Sequence, residues 1–322
     1  MNPIAFAAAG ALDALAGDPR WFPHPVRAMG FVIGRLERLV RRCARGNATG
    51  ELAGGGLIVL AVAACSAASA SLVQQTAGRF GSRSRTATDM LLAWSCIAAR
   101  DLVSEVNGVL GALNAGGLEA ARLRLSRIVG RDTAELDRAG IARALIETLA
   151  ESLCDGIVAP LCALAIGGPP LAFAFKAAST MDSMIGHIEP PYRHVGFFAA
   201  KLDDALCYVP ARIAALAVAA SAPLAMGSPS AALRCMRLDG AKHASPNAGR
   251  VEAAMAGALA VRLGGSLTYD GVPVTRALFG GVYRAPDDDD VRRARLLVVT
   301  AALLLFALLS GALGLRSGRD ER

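Results

Sequence analysis

The sequence predicts an all-α, polytopic integral membrane protein with helical cytoplasmic segments and broken or re-entrant helices, and three observations carry that expectation. Residues 52–78 and 296–315 carry no charged side chain. At about 1.5 Å per residue, each run is long enough to cross a hydrocarbon core of roughly 30 Å. Two further charge-free runs, 156–175 and 213–233, are broken by Gly167-Gly168-Pro169-Pro170 and by Pro223 with Gly227; such breaks are tolerated at membrane depth where protein or a cavity satisfies the backbone. Finally, the chain is 54% apolar with a mean hydropathy of +0.42, more than the roughly 45–50% of a soluble globule.

Taken in order, residues 2–16 form a short apolar helix interrupted by Asp13. No lysine or arginine precedes it, so it is expected to stay in place rather than act as a cleaved signal peptide. A polar segment, 17–51, follows with Arg20, Arg27, Arg35, Arg38, Arg41, Arg42 and Arg45. After the 52–78 span comes a shorter candidate, 89–99, buried or interfacial. The remaining polar segments are 100–155, 176–212 and 234–295, within one membrane domain, 1–322. Asp287–Asp290 reads as a solvated loop. Arg292, Arg293 and Arg295 directly precede the last span. By the positive-inside rule both arginine-rich segments face the cytoplasm, and the two broken runs are expected to return to that side.

The net charge of +7 comes with only 5% aromatic residues, which leaves few platforms for stacking on bases. Nucleic acid is therefore not an expected partner; the bilayer surface and anionic substrates are. Seven cysteines stand singly, with no Cys-x-x-Cys pair, so neither a zinc site nor a disulfide framework is indicated.

The polar segments hold the candidate chemistry. Asp132-x-x-Glu135 opens an expected helix over 134–152, where Asp132 is either the N-cap or a metal or nucleotide contact. Glu147, Glu151 and Asp155 fall at i, i+4 and i+8, which lines three carboxylates along one helical face. Carboxylates at a bilayer edge are costly without partners, and Mg²⁺ takes such oxygens beside substrate phosphates. Lys176 and Asp182, then Lys201, Asp203, Asp204 and Arg212, put acids and bases together as a metal-phosphate site or an ion-pair network. Lys242-His243-Ala244-Ser245-Pro246-Asn247 reads as a helix start with Ser245 as N-cap and Pro246 at the first helical position, the helix ending near Gly264-Gly265. It serves either as a plain cap or as a phosphate cradle. His24 and Arg27 lie near Asp18 in a compact turn after the first helix. There is no Walker A sequence and no Gly-x-Gly-x-x-Gly.

In order and spacing these segments resemble the CobD/CbiB family, the adenosylcobinamide-phosphate synthases. The strings are LDALAGDP (12–19), HPVRAMG (24–30), IVGRDT (128–133), ETLAESLCDGIVAP (147–160), STMDSMIGH (179–187), KLDDALCYVPAR (201–212) and HASPNAG followed by LGG (243–249, 263–265). The family pattern has Asn at the positions of Ser152 and Ser179 and Tyr at that of His187, so no role is carried over to these three.

The resemblance implies an ATP-dependent ligase of cobalamin biosynthesis, joining adenosylcobyric acid to aminopropanol phosphate or a related amino-alcohol phosphate. The corrinoid is a substrate; ATP with Mg²⁺ supplies the driving force. The expected acid–base or metal residues are Glu147, Glu151, Asp155, Asp182, Asp203 and Asp204, with Glu151, Asp155 and Asp182 as the metal set. Arg131, Asp132, Lys176, Lys201, Lys242, Arg212, His24, Arg27, His243, Ser245 and Asn247 are the expected phosphate or substrate contacts. The expected location is the cytoplasmic (inner) membrane, with the active site facing the cytoplasm and other membrane enzymes of cobalamin assembly as partners. A transporter of a small anionic solute and a non-catalytic membrane scaffold are the competing classes.

Overall fold

The structure, a computed structural model, describes residues 1–19, 21, 23–187, 189–269 and 271–320, the last two without their side chains. Arg20, part of the first arginine-rich segment, lies outside the described residues. Among the described residues 75% are helical, and four helical stretches are long and apolar enough to cross a membrane: Ala48–Gly78, Arg138–Ile185, Phe197–Ala225 and Asp288–Gly318. This is an all-α membrane protein.

The chain groups into two compact units. The first comprises Met1–Ala98, Ala159–Cys207 and Phe306–Arg322. It contains α1 (Pro3–Ala16), α2 (Pro25–Ala44), α3 (Ala48–Gly78), α4 (Ser82–Trp94) and α7 (Ala159–Ile185). Side chains of Asn2, His24 and Asn47 cap α1, α2 and α3 by accepting from backbone N–H groups, as N-cap residues do. The 89–99 candidate is corrected: α4 starts at Ser82 and stops at Trp94, whose indole donates to the carbonyl of Gly17 at 3.1 Å. Helices α3 and α7 pack closely, and Leu57, Leu60 and Leu72 of α3 point outward, as expected of a helix in lipid. Between α3 and α4 one polar pair is buried, Gln74 donating to Asp89 at 2.7 Å. Gly55 of α3 admits no side chain, because a Cβ there would stand 2.0 Å from the carbonyl oxygen of Val195.

The run 156–175 is broken where the sequence predicts. A π-helical turn over Leu153–Val158 precedes α7, and Gly168 (φ 67°) interrupts α7 just before Pro169 and Pro170. Proline lacks the N–H that would continue the ladder. The run 213–233 is likewise not one helix. Here α8 (Phe197–Ser221) ends in a 3₁₀ turn over Ala222–Ala225, Met226 is left-handed, and a new helix begins at Pro229. The spanning stretch starts earlier than expected and takes in Lys201, Asp203 and Asp204.

The second unit comprises Ala99–Val158 and Tyr208–Leu305. It contains α5 (Ala99–Leu125), α6 (Arg138–Ser152), α9 (Pro229–Leu238), α10 (Ala248–Leu259) and a two-stranded antiparallel hairpin, β1 (Leu263–Tyr269) and β2 (Val272–Phe279). The last helix, α11 (Asp288–Asp320), divides between the units, as does α8. Val251 to Leu259 of α10 are all buried, and the helix packs against α9, α6 and the hairpin.

Two boundaries differ from the sequence expectation. The N-cap of α6 is Asp137, which accepts from the N–H of Gly140 at 2.7 Å, so the helix starts four residues later than expected and Asp132 caps nothing. The helix expected to run from Ser245 to Gly264 ends at Leu259, and Gly264-Gly265 open a strand instead. Gly264 has φ 80°, and a Cβ there would lie 1.9 Å from the carbonyl of Ala277.

Candidate active site

Six polar side chains converge in the second unit from five segments of the chain. Arg131 comes from the segment before α6, Glu147 and Glu151 from α6, His243 from the loop before α10, Glu252 from α10 and Arg276 from β2. Glu147 is 3% exposed and forms an ion pair with Arg131, itself 9% exposed. The other oxygen of Glu147 accepts from the N–H of Gly264 at 2.7 Å, so one carboxylate joins α6 to the hairpin. Arg143 reinforces the junction, donating to the carbonyl of Gly264 at 2.9 Å. Arg131 keeps Nη1 buried and without a hydrogen-bond partner among the described residues. A buried guanidinium donor left unmade is costly, and this one marks a place for an anionic oxygen.

Glu151 lies within electrostatic reach of Arg131, Arg276, Glu147 and Asp155. It makes no hydrogen bond or ion pair among the described residues. Asp155, half-buried, sits in the π-turn, where the ideal four-residue spacing from Glu151 is lost. Glu252 is almost wholly buried; burial first, then Glu147 and Glu151, raise its carboxyl well above the ordinary value, against the pull of Arg276 and Arg131. Burial, followed by Arg276, pushes the His243 imidazole down, so it is neutral at neutral pH. Its Nδ1 stands 3.0 Å from the backbone nitrogen of Ser245 and 3.3 Å from the carbonyl oxygen of the same residue, so Ser245 fixes the ring's orientation.

The remaining candidates of this unit hold its loops. The Ser245 hydroxyl accepts from the N–H groups of Asn247 and Ala248 at 3.3 Å, yet α10 begins only at Ala248, so Pro246 is not its first residue. Arg212 stacks on the Tyr208 ring at 3.5 Å and donates to Asn247 Oδ1 at 3.1 Å and to the Pro246 carbonyl. Lys242 pairs with Asp239. Burial alone would raise the Asp239 carboxyl, but Lys242 and the N–H of Gly280 outweigh it and hold the group low. Asp132 accepts from Gly271 N–H at 2.8 Å, docking the hairpin tip.

The first unit holds the other candidates. His24 Nε2 stands 3.1 Å from Asp18, confirming that turn, and Arg27 is exposed on α2. Lys176 of α7 and Asp18 both act electrostatically on Cys96, so they share a neighbourhood. The Cys96 thiol, pushed up to about 12 by burial, is no nucleophile. Lys201 lies 3.6 Å from Asp204. Asp203 shares the first turns of α8 with them, and Asp182 sits in the last turn of α7, which Gly186 closes by donating to the Asp182 carbonyl at 2.7 Å.

The model of the CobD/CbiB protein family matches residues 6–298. The chain belongs to that family. Among curated relatives, the cobalamin biosynthesis protein CobD of Pelobacter propionicus is 43% identical over 292 residues, covering 90% of this chain and 89% of its own length. CobD of Geobacter metallireducens is 45% identical over 276 residues, 84% of this chain and 83% of the relative. The cobalamin biosynthesis protein CbiB of Salmonella typhimurium is 38% identical over 315 residues, 97% and 98% of the two chains. No solved structure matches. Family membership gives the chain a role in cobalamin biosynthesis.

Glu252 and Arg276 of the cluster escaped the sequence reading. For Glu252 a signal exists: it is the one acid in Val251–Val261, and its helical neighbours Gly249, Met255 and Ala256 are apolar or small, so a helix there must bury it. Arg276 depends on the hairpin.

Proposed function

We propose that this chain is the ligase that joins adenosylcobyric acid to an amino-alcohol phosphate at the expense of ATP, at the cytoplasmic face of the inner membrane. The observation that carries the reading is the pairing of an unsatisfied buried donor, Arg131 Nη1, with an unpartnered carboxylate, Glu151, in one cluster. Anionic oxygen and a divalent cation arrive together in an ATP complex, and the two groups suit those two components.

Glu151 and Asp155 offer hard carboxylate oxygens of the kind Mg²⁺ takes beside phosphate, so the donor set fits. These two would hold the ion, which supplies charge neutralisation on the phosphates. Asp182 belongs to the other unit and stays a candidate on the resemblance alone.

A carboxylate resists attack by an amine until one oxygen becomes a leaving group. Transfer of the terminal phosphoryl group of ATP to the substrate carboxylate gives an acyl phosphate and ADP. The amine then forms the C–N bond, the C–O bond to phosphate breaks, and the amine proton passes to a base. Arg131, held in place by Glu147, binds the developing phosphate charge. His243, neutral in this cluster, can hydrogen-bond the reacting oxygens, and the amine proton passes to a carboxylate of the cluster. Lys176, Lys201, Asp203, Asp204, His24 and Arg27 likewise lie in the other unit and stay candidate substrate contacts on the resemblance alone.

The test is turnover by the purified protein with ATP, Mg²⁺, the corrinoid acid and the amino-alcohol phosphate. Wild type is expected to form the amide, and Glu151→Gln to fold and insert normally yet lose turnover by a factor of about 100 or more. Wild-type rates for Glu151→Gln across a Mg²⁺ titration would remove the metal role, and absence of product from wild type would remove the ligase reading.

A further inference from the structure

Helix α2 presents an outward face with two strips. Its buried side carries Met29 and Ile33. Winding at 3.6 residues per turn gathers Arg27, Phe31, Arg35, Arg38 and Arg42 into an arc of about 80°, with Ala28, Val32, Leu39 and Cys43 filling roughly the next 60°. All nine residues are exposed, with Val32 at 45% and Leu39 at 55%. An arginine strip thus borders an apolar strip, both facing away from the protein.

The helix also lies across its neighbours. Gly30 and Gly34 meet Met184 in the last turn of α7, whereas Val40 and Ala44 meet Gly54 and Gly50 in the first turns of α3. Contacts about ten residues apart on α2 therefore fall at the ends of two apolar stretches long enough to span. A helix running alongside them through the bilayer would instead meet their middles. Arg41 is turned inward, pairing with Glu37 and standing 5.0 Å from the Tyr192 ring. Arg35 lies over Phe31 at 4.5 Å, and Arg38 and Arg42 have no partner among the described residues.

We propose that α2 is an interfacial helix that binds the headgroups of anionic phospholipids through Arg35, Arg38 and Arg42, with Val32 and Leu39 set into the acyl region. The apolar strip fixes the depth, and the arginine strip beside it meets the phosphate layer. Charge complementarity then selects anionic over zwitterionic lipid.

The experiment uses the full chain in detergent with equimolar phosphatidylglycerol and phosphatidylcholine, reading bound lipid by native mass spectrometry. Wild type is expected to retain phosphatidylglycerol preferentially. The triple variant Arg35→Gln, Arg38→Gln, Arg42→Gln should lose about tenfold of that preference, and the corresponding triple lysine variant should keep most of it. A second reading does not depend on the triple variant folding. With Cys43, Cys65 and Cys162 replaced by alanine, nitroxides are placed at Leu39→Cys or Arg38→Cys in vesicles containing phosphatidylglycerol. Position 39 should be reached by oxygen and position 38 by a water-soluble nickel complex. An undiminished preference in the glutamine variant, or equal water exposure at both positions as a soluble partner or a second copy would give, overturns the proposal.

Discussion

Burial, and then the neighbouring Glu147 and Glu151, raise the Glu252 carboxyl well above the ordinary carboxylate value. A carboxyl whose folded value lies above its unfolded one stabilises the fold most at low pH, and that contribution fades as pH rises from about 4.5 toward the folded value. Glu252→Gln keeps the neutral shape and removes the titration. Its thermal midpoint in detergent should therefore gain on wild type steadily from pH 5 to pH 8. A constant difference across that range would show that Glu252 titrates normally. At this scale Glu147, Glu151, Arg131 and His243 were legible, since charged groups beside an apolar run demand partners. The partners themselves were not, because Arg276 reaches the cluster through a strand pairing that no local spacing encodes.

Among the elements, the hairpin decides whether the cluster closes. Its residues carried a readable sign: Asp270-Gly271 stands between Thr268-Tyr269 and Val272-Pro273-Val274-Thr275, a turn dipeptide flanked by β-formers. Gly264-Gly265, however, has the composition of a helix end as well as of a strand start, which masks the hairpin. In fact Gly264 takes the left-handed conformation and presents its N–H to Glu147. Gly264→Ala strains the backbone and crowds the Ala277 carbonyl, so it should cost about 2 kcal/mol or more of stability and lower turnover by releasing Glu147. Urea unfolding and turnover measured on the same preparation check this, and wild-type values in both would show that the strand pairing relaxes without consequence. Similarly, Asp137 rather than Asp132 caps α6. Both fit the N-cap rule, and only the docking of Asp132 on the Gly271 N–H separates them.

For the whole molecule, the membrane character was legible from charge-free length alone, since a span needs little more than enough apolar residues in a row. The breaks at Gly168 and near Pro223 were legible too, because proline and left-handed glycine act locally. The grouping into two units was not, as it rests on contacts between distant segments. In the proposed reaction ATP activates the corrinoid carboxylate before the amine attacks. Corrinoid acid carrying ¹⁸O in that carboxylate should therefore deliver one ¹⁸O to the inorganic phosphate released in each turnover. Amide formed without ATP, or with no ¹⁸O in the phosphate, would contradict it.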